Sequence, residues 1–284
     1  LNLIKTNQMD GSWPAVFGKI FYKVPLVVRC GYEWLMTIER LKKNFLKRRF
    51  AFWVEKFAYK NADRIILSSD SIKDFVMKRF DVDPSFINVI PNYIDTDLFS
   101  PSPSIKKNTK SIAFLGRLEQ DKNPNLIIEA CKGLDVEINF IGKGSLKNLL
   151  ENSAKASNVK ASFLGMVEQK NLPQELNKNS IFILPSNIEG SPKALLEAMS
   201  CGLACVGSDV EGINNVITDN ENGLLCKLDS VSIREKIIQL IENKELCDRL
   251  GSSARDFVCK NNSFENFITK ELSVYNDLNN EKNI

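Results

Sequence analysis

The chain holds 284 residues, 43% apolar and 26% charged, a length that fits two ordinary domains and a balance that excludes disordered and fibrous proteins. Its formal net charge of +3 is too small to argue for a nucleic-acid partner, and none is expected, so any electrostatic partner must be met by a local patch. Histidine is absent, which removes imidazole metal ligands, Ser/His/Asp triads and Cys/His dyads.

Leu1 opens directly into an apolar stretch with no cap or turn ahead of it, as expected of a fragment of a longer chain. Strands are predicted at 2–5, 25–29, 65–68 and 88–90, with a basic helical stretch over 39–59. The Pro, Ser and Lys content of SPSPSIKKNTK (100–110) suits an exposed linker. The domain boundary is therefore placed there: residues 1–103 form a first, incomplete domain, 104–262 a second, and 263–284 a terminal helix expected to pack back on the first. Beyond residue 109, short Ile/Val/Phe-rich runs at 111–115, 136–141, 161–164, 181–184, 204–206 and 223–226 alternate with segments of helical period. That alternation is the pattern of a parallel sheet wrapped by helices, so the class is α/β. Pro124 and Pro192 stand where helices begin, and 231–278 reads as two or three helices.

The seven cysteines are odd in number and contain no CxxC pair, so they read as reduced thiols rather than a disulfide framework or a zinc site. No apolar run approaches the roughly 20 residues needed to span a bilayer, and no signal segment is visible. The expected location is cytoplasmic, free or at the inner face of the membrane.

Open parallel sheets bind ligands beyond the carboxyl ends of their strands. Here those positions carry Gly116, Arg117, Lys122 and Asn123, then Gly142, Lys143 and Gly144, then the run PSNIEGSPKALLEAM (185–199). Taken singly, Arg117 and Lys122 are ordinary solvated cations, Gly142 and Gly144 an ordinary tight turn, and Glu197 a surface residue of a helix. The run from Glu189 to Glu197 says more. Gly190 permits close backbone approach, Pro192 starts a helix, and the free N–H groups of that helix make an anion site. Glu197 lies about one and a half turns further in, where a carboxylate can accept from two vicinal sugar hydroxyls.

These residues resemble the retaining glycosyltransferases of the GT-B fold, the bacterial group 1 or family four enzymes. The resemblance rests on ordered motifs: FLGRLEQDKN (114–123), INFIGKGS (138–145), SFLGMV (162–167), IFILPSNIEGSPKALLEAMSCGLACVGSDVEGINNVI (181–217) and NENGLL (220–225). Upstream, ADRIILSSDS (62–71) and VIPNYIDTDLF (89–99) resemble the end of the family's first domain, so the likeness covers roughly 60–280. It implies two Rossmann-like domains with parallel sheets, the first on the acceptor side and the second binding a UDP- or GDP-linked sugar, with uridine favoured. Arg117 and Lys122 would bind the diphosphate, Glu189 the transferred sugar and Glu197 the ribose. Backbone groups of Gly190, Ser191, Pro192, Lys193 and Ala194 would hold phosphates and sugar, with Gly116 beside them and Gly165 near the base. Pre-placed cations and a helix N-terminus stabilise a leaving diphosphate without a metal, so neither metal nor other cofactor is expected. The Asp81/Asp83 and Asp95/Asp97 pairs are read as turn and capping residues, not as a metal site.

Family members commonly present a histidine after a strand resembling PLVVRCGY (25–32); Arg29, Cys30 or Tyr32 stands in that region here. The leading expectation is transfer of a sugar, with retention, to a hydroxyl of a glycan or lipid-linked precursor. A non-catalytic nucleotide-sugar-binding subunit and a nucleotide-sugar epimerase are the alternatives.

One stretch falls outside this scheme. Between Arg40 and Lys60 stand eight basic residues against one acid, Glu55, with Phe45, Phe50, Phe52, Trp53 and Phe57 interleaved. Two readings stay open: aromatics turned to the domain core with cations solvated, or a patch for an anionic membrane surface.

Overall fold

The structure, a computed structural model, describes residues 2–31, 34–40 and 45–282. Two compact units emerge, one of residues 1–92 with 265–284, the other of 93–264. The division precedes the Pro/Ser/Lys-rich 100–110 segment at which the sequence places it. The reason is burial: Ile94 and Phe99, both 1% exposed, sit in the core of the second unit, so the chain has joined that unit before the segment begins.

The first unit is built from β1 (Ile4–Thr6), α1 (Ser12–Tyr22), β2 (Leu26–Cys30), α2 (Trp34–Arg40), α3 (Phe45–Asn61), β3 (Arg64–Leu67), α4 (Asp70–Phe80) and β4 (Ile87–Val89). Its sheet is parallel throughout, in the order β1-β2-β3-β4. Alternate residues of each strand feed opposite faces, as the pleat requires. Val28, Cys30, Ile65 and Leu67 pack under the helices of one face, while Val27 and Ile66 meet Phe267, Val274 and Leu278 on the other. The basic helical stretch expected over 39–59 falls on α2 and α3.

The second unit runs β5 (Asn108–Leu115), α5 (Pro124–Ala130), β6 (Glu137–Ile141), α6 (Lys147–Ala156), β7 (Lys160–Gly165), α7 (Leu172–Asn177), β8 (Asn179–Leu184), α8 (Lys193–Ser200), β9 (Ala204–Ser208), β10 (Leu224–Cys226), α9 (Ser230–Glu242) and α10 (Lys244–Asn261). Its parallel strands take the order β10-β9-β8-β5-β6-β7. Ile181 and Ile183 of β8 enter one core and Phe182 and Leu184 the other, which is why this central strand reads as an unbroken apolar run. The last helix, α11 (Phe264–Lys282), returns to the first unit, where Glu271 accepts from Lys5 at 2.9 and 2.7 Å and faces Arg29 at 3.3 Å. Six cysteines are buried and none is disulfide-bonded, and burial pushes the thiols of Cys131, Cys201 and Cys226 up to about 12.

Candidate active site

β5 and β8 are neighbours, yet the chain leaves β5 toward β6 and β7, and leaves β8 toward β9 and β10. Connections that diverge in this way open a crevice beyond the carboxyl ends of the two strands. The loop after β5 (116–123) and the loop after β8 (185–192) face one another there. Asn187 N–H donates to the Asp121 carbonyl at 3.0 Å, and Asn123 Nδ2 donates to the Pro185 carbonyl at 3.0 Å and to Asn187 Oδ1 at 2.8 Å.

Within this frame Lys122 Nζ lies 2.5 Å from Glu189 Oε1, and Ser186 Oγ donates to the same oxygen at 2.7 Å. Glu189 Oε2 makes no hydrogen bond among the described residues. Ser186 is itself fixed by the buried Ser208 hydroxyl, which donates to its carbonyl at 2.6 Å. Glu189 N–H donates to the Glu211 carbonyl at 3.1 Å. Beneath it Gly212 has φ +88°, and a Cβ there would stand 2.0 Å from the Glu189 carbonyl oxygen, so any larger residue displaces the loop.

A cleft of about 770 Å³ opens over the ends of β5, β6 and β7, lined by Gly116, Arg117 and Glu119, by Gly142, Lys143 and Gly144, and by Met166. Gly142 is more than a turn residue: its φ is +138° and an added Cβ would lie 1.9 Å from the Gly116 carbonyl oxygen. Its N–H donates to the Gly165 carbonyl at 2.8 Å and the Gly116 N–H to the Ile141 carbonyl at 3.0 Å, and together the two bonds tie the three strand ends. Arg117 is exposed and paired with Asp121 at 2.7 Å. The two cations expected to act together thus have separate partners, Arg117 at the cleft and Lys122 on Glu189. Lys143, outside the expected site set, supplies a further cation to the cleft.

α8 begins after Pro192, with Ser191 and Ala194 half-buried and Lys193 exposed. The N–H groups of its first turn have no intrahelical acceptor by construction. Gly190 is exposed, and a Cβ there would meet nothing within 4 Å, so the protein's own packing does not demand glycine. Glu197, expected as a surface residue on the plain reading, is 6% exposed, and its carboxyl makes no hydrogen bond among the described residues. Burial pushes its carboxyl up to about 7, with Lys193 opposing.

Of the residues near the position of the family histidine, Arg29 is held by Glu271 with its guanidinium 5.0 Å from the Phe267 ring, and Cys30 is fully buried. Tyr32 lies outside the described residues. Asp83 Oδ1 accepts from Ser85 N–H at 2.8 Å, and Asp95 Oδ1 accepts from the N–H groups of Asp97 and Leu98 at 3.2 and 2.9 Å. Both carboxylates serve as local caps.

Residues 95–257 match the family model for glycosyl transferases group 1, more than half of the chain, and residues 3–98 match that for glycosyltransferase family 4. The chain belongs to the group 1 glycosyltransferases. This glycosyltransferase is 29% identical over 304 aligned residues to the UDP-Gal:α-D-GlcNAc-diphosphoundecaprenol α-1,3-galactosyltransferase of Escherichia coli, covering 97% of the chain and 77% of that enzyme. In fold it resembles the sucrose-phosphate synthase of Thermosynechococcus elongatus, with a TM-score of 0.84 at 18% identity over 97% of the chain and 73% of that protein. Anabaena Alr3699/HepE, solved in complex with UDP, gives 0.83 at 18% identity over 98% of the chain and 79% of that protein. The architecture is GT-B, an α/β fold with two parallel sheets. Ser186, Ser208 and Gly212 are the residues around Glu189 that sequence reasoning passed over, while Lys143 was placed at the strand ends and given no role. All three stand within the run 181–217, but only their contacts reveal what they hold.

Proposed function

We propose that this glycosyltransferase takes a sugar from a UDP-linked donor, with retention and without a metal ion, and passes it to a hydroxyl of a lipid-linked glycan precursor. The observation that carries the reading is Glu197, a buried carboxylate with no protein donor. Burying such a group unpaired is costly, and a ribose diol supplies two O–H donors of the kind it lacks. Arg117 and Lys143 at the cleft, Lys122 behind Glu189 and the first turn of α8 supply positive charge for the diphosphate. As the bond from the anomeric carbon to the phosphate oxygen breaks, the leaving group takes the electron pair, and this fixed charge stabilises it. Glu189, held by Lys122 and Ser186 through Oε1, keeps Oε2 for a hydroxyl of the transferred sugar. The E. coli relative, named for a UDP-sugar donor and a diphosphoundecaprenol-linked acceptor, supports uridine and a lipid-linked acceptor. Calorimetric titration of UDP and GDP into the wild type and the Arg117→Ala, Lys122→Ala, Glu189→Ala and Glu197→Ala variants tests it. The expected result is saturable UDP binding, weakened in Arg117→Ala and Glu197→Ala and little changed in Glu189→Ala. Unchanged affinity in both of the former would remove the donor-site assignment.

A further inference from the structure

Helix α8 carries both features on which the donor reading depends, its first-turn N–H groups and Glu197, and it is eight residues long. Its amino end has no cap to fix it: Pro192 stands at the N-cap position, and among the described residues no side chain caps the first turn. The carboxyl end is held carbonyl by carbonyl. Those of Glu197, Ala198 and Met199 accept from the N–H groups of Cys201, Leu203 and Gly202 at 3.1, 3.2 and 2.9 Å. The Ser200 carbonyl accepts instead from Arg255 Nη1 at 2.5 Å, and that of Gly202 from Lys107 Nζ at 3.0 Å. Two cations thus complement the negative end of the helix.

Arg255 does more than close one carbonyl. Its Nη1 also donates to the Phe99 carbonyl at 3.1 Å and its Nη2 to the Thr96 carbonyl at 3.4 Å, while the buried Ser200 hydroxyl donates to the same Phe99 carbonyl at 2.6 Å. One half-buried guanidinium therefore ties α8 to the turn 95–99, which is closed by the Phe99 N–H on the Asp95 carbonyl at 2.9 Å and anchored by the buried Phe99 ring. Gly251, one turn before Arg255 on the same face of α10, makes the reach possible. A Cβ there would stand 2.5 Å from the Gly202 carbonyl oxygen, so α10 meets the end of α8 backbone to backbone. Three carbonyls on two segments suit the planar fork of a guanidinium; an ammonium has no such geometry.

We propose that Arg255 is a positioning residue for the donor: by fixing the carboxyl end of α8, it sets where the first-turn N–H groups and Glu197 stand when they meet the diphosphate and the ribose. Arg255 touches neither ligand group, since a rise of about 1.5 Å per residue puts Ser200 roughly 10 Å along the axis from the first turn. It acts through the helix. The inference rests on the donor-site reading of α8, and a misplacement of about 1 Å at such a site can cost about 100-fold.

UDP titration, steady-state kinetics and urea unfolding of the wild type, Arg255→Lys, Arg255→Ala and Ile237→Val test it. Ile237 of α9 is fully buried in the core on the other face of the sheet from α8, so Ile237→Val is a control that lowers stability and leaves α8 in place. Arg255→Lys, which keeps the charge and loses the fork, should weaken UDP binding and raise donor KM together by about 10-fold, with kcat changed less; in Arg255→Ala the loss should approach about 100-fold. The control should keep wild-type UDP affinity. Should Arg255→Ala not fold, Arg255→Lys carries the test. Wild-type UDP affinity in either folded Arg255 variant overturns the proposal, and so does a loss of affinity that Ile237→Val shares, because the effect is then one of stability alone. Failure of the donor reading gives a different result, in which the wild type itself binds no UDP.

Discussion

The ammonium of Lys122 lies 2.5 Å from Oε1 of Glu189, joining the loops after β5 and β8 across 67 positions of sequence, with the two side chains 16 and 14% exposed. Removing either partner strands a mostly buried charge. Lys122→Ala and Glu189→Ala are each expected to lose about 1–3 kcal/mol of stability, and the double variant less than their sum, with a coupling of about 0.5–3 kcal/mol. Urea unfolding of the four proteins measures it; simple additivity would show that the contact carries no energy in solution.

Arg117 should behave otherwise. Its pair with Asp121 is exposed, with side chains 67 and 47% accessible, so Arg117→Ala should shift stability by less than about 0.5 kcal/mol. If it faces the leaving diphosphate, kcat/KM should fall by about 10²–10³-fold. Glu197→Ala should raise donor KM more than it lowers kcat, and Glu189→Ala should act chiefly on kcat. Steady-state kinetics on the three variants separates these patterns.

The Glu197 carboxyl makes folding pH-dependent. Folded, it stays protonated to about pH 7, whereas unfolded it ionises near its ordinary 4.5. The unfolded chain gives up the proton first, so the stability contributed by this group is fully present below pH 4.5 and declines as pH rises toward 7. The total is about 3 kcal/mol at 1.36 kcal/mol per unit. Unfolding free energies measured across this window should lose that component of their slope in Glu197→Gln. An identical slope in the two proteins would show that the carboxyl ionises normally in the fold.

Two glycines of the site should respond in opposite ways. Gly212→Ala places a Cβ 2.0 Å from the Glu189 carbonyl oxygen at positive φ and should cost about 1–3 kcal/mol together with most of the activity. Gly190→Ala meets nothing within 4 Å and should leave the melting temperature unchanged, weakening only the binding of a ligand that approaches its backbone. Thermal unfolding paired with donor titration distinguishes the two.

Because Arg117, Lys122 and Lys143 already bring positive charge to the crevice, sugar transfer should persist in excess EDTA. Loss of turnover that added Mg²⁺ or Mn²⁺ restores would reverse this expectation.

The sequence by itself determined the α/β class, the parallel strands and the loops that follow β5 and β8. Parallel strands buried on both faces must be unbroken apolar runs, as IFIL of β8 is, and Pro192 marks the start of α8. The paired motif from Glu189 to Glu197 was legible for the same local reason. Partnership was decided only by the tertiary structure. The order β10-β9-β8-β5-β6-β7 is what brings Lys122 to Glu189, seats Gly212 beneath Glu189 and encloses Glu197, which a helix position alone leaves as a surface residue. The turning of Phe50, Trp53 and Phe57 outward rather than to the core was likewise undecided by pattern. Periodicity states that a helix has an apolar face; which face finds a partner depends on what the rest of the chain packs against it.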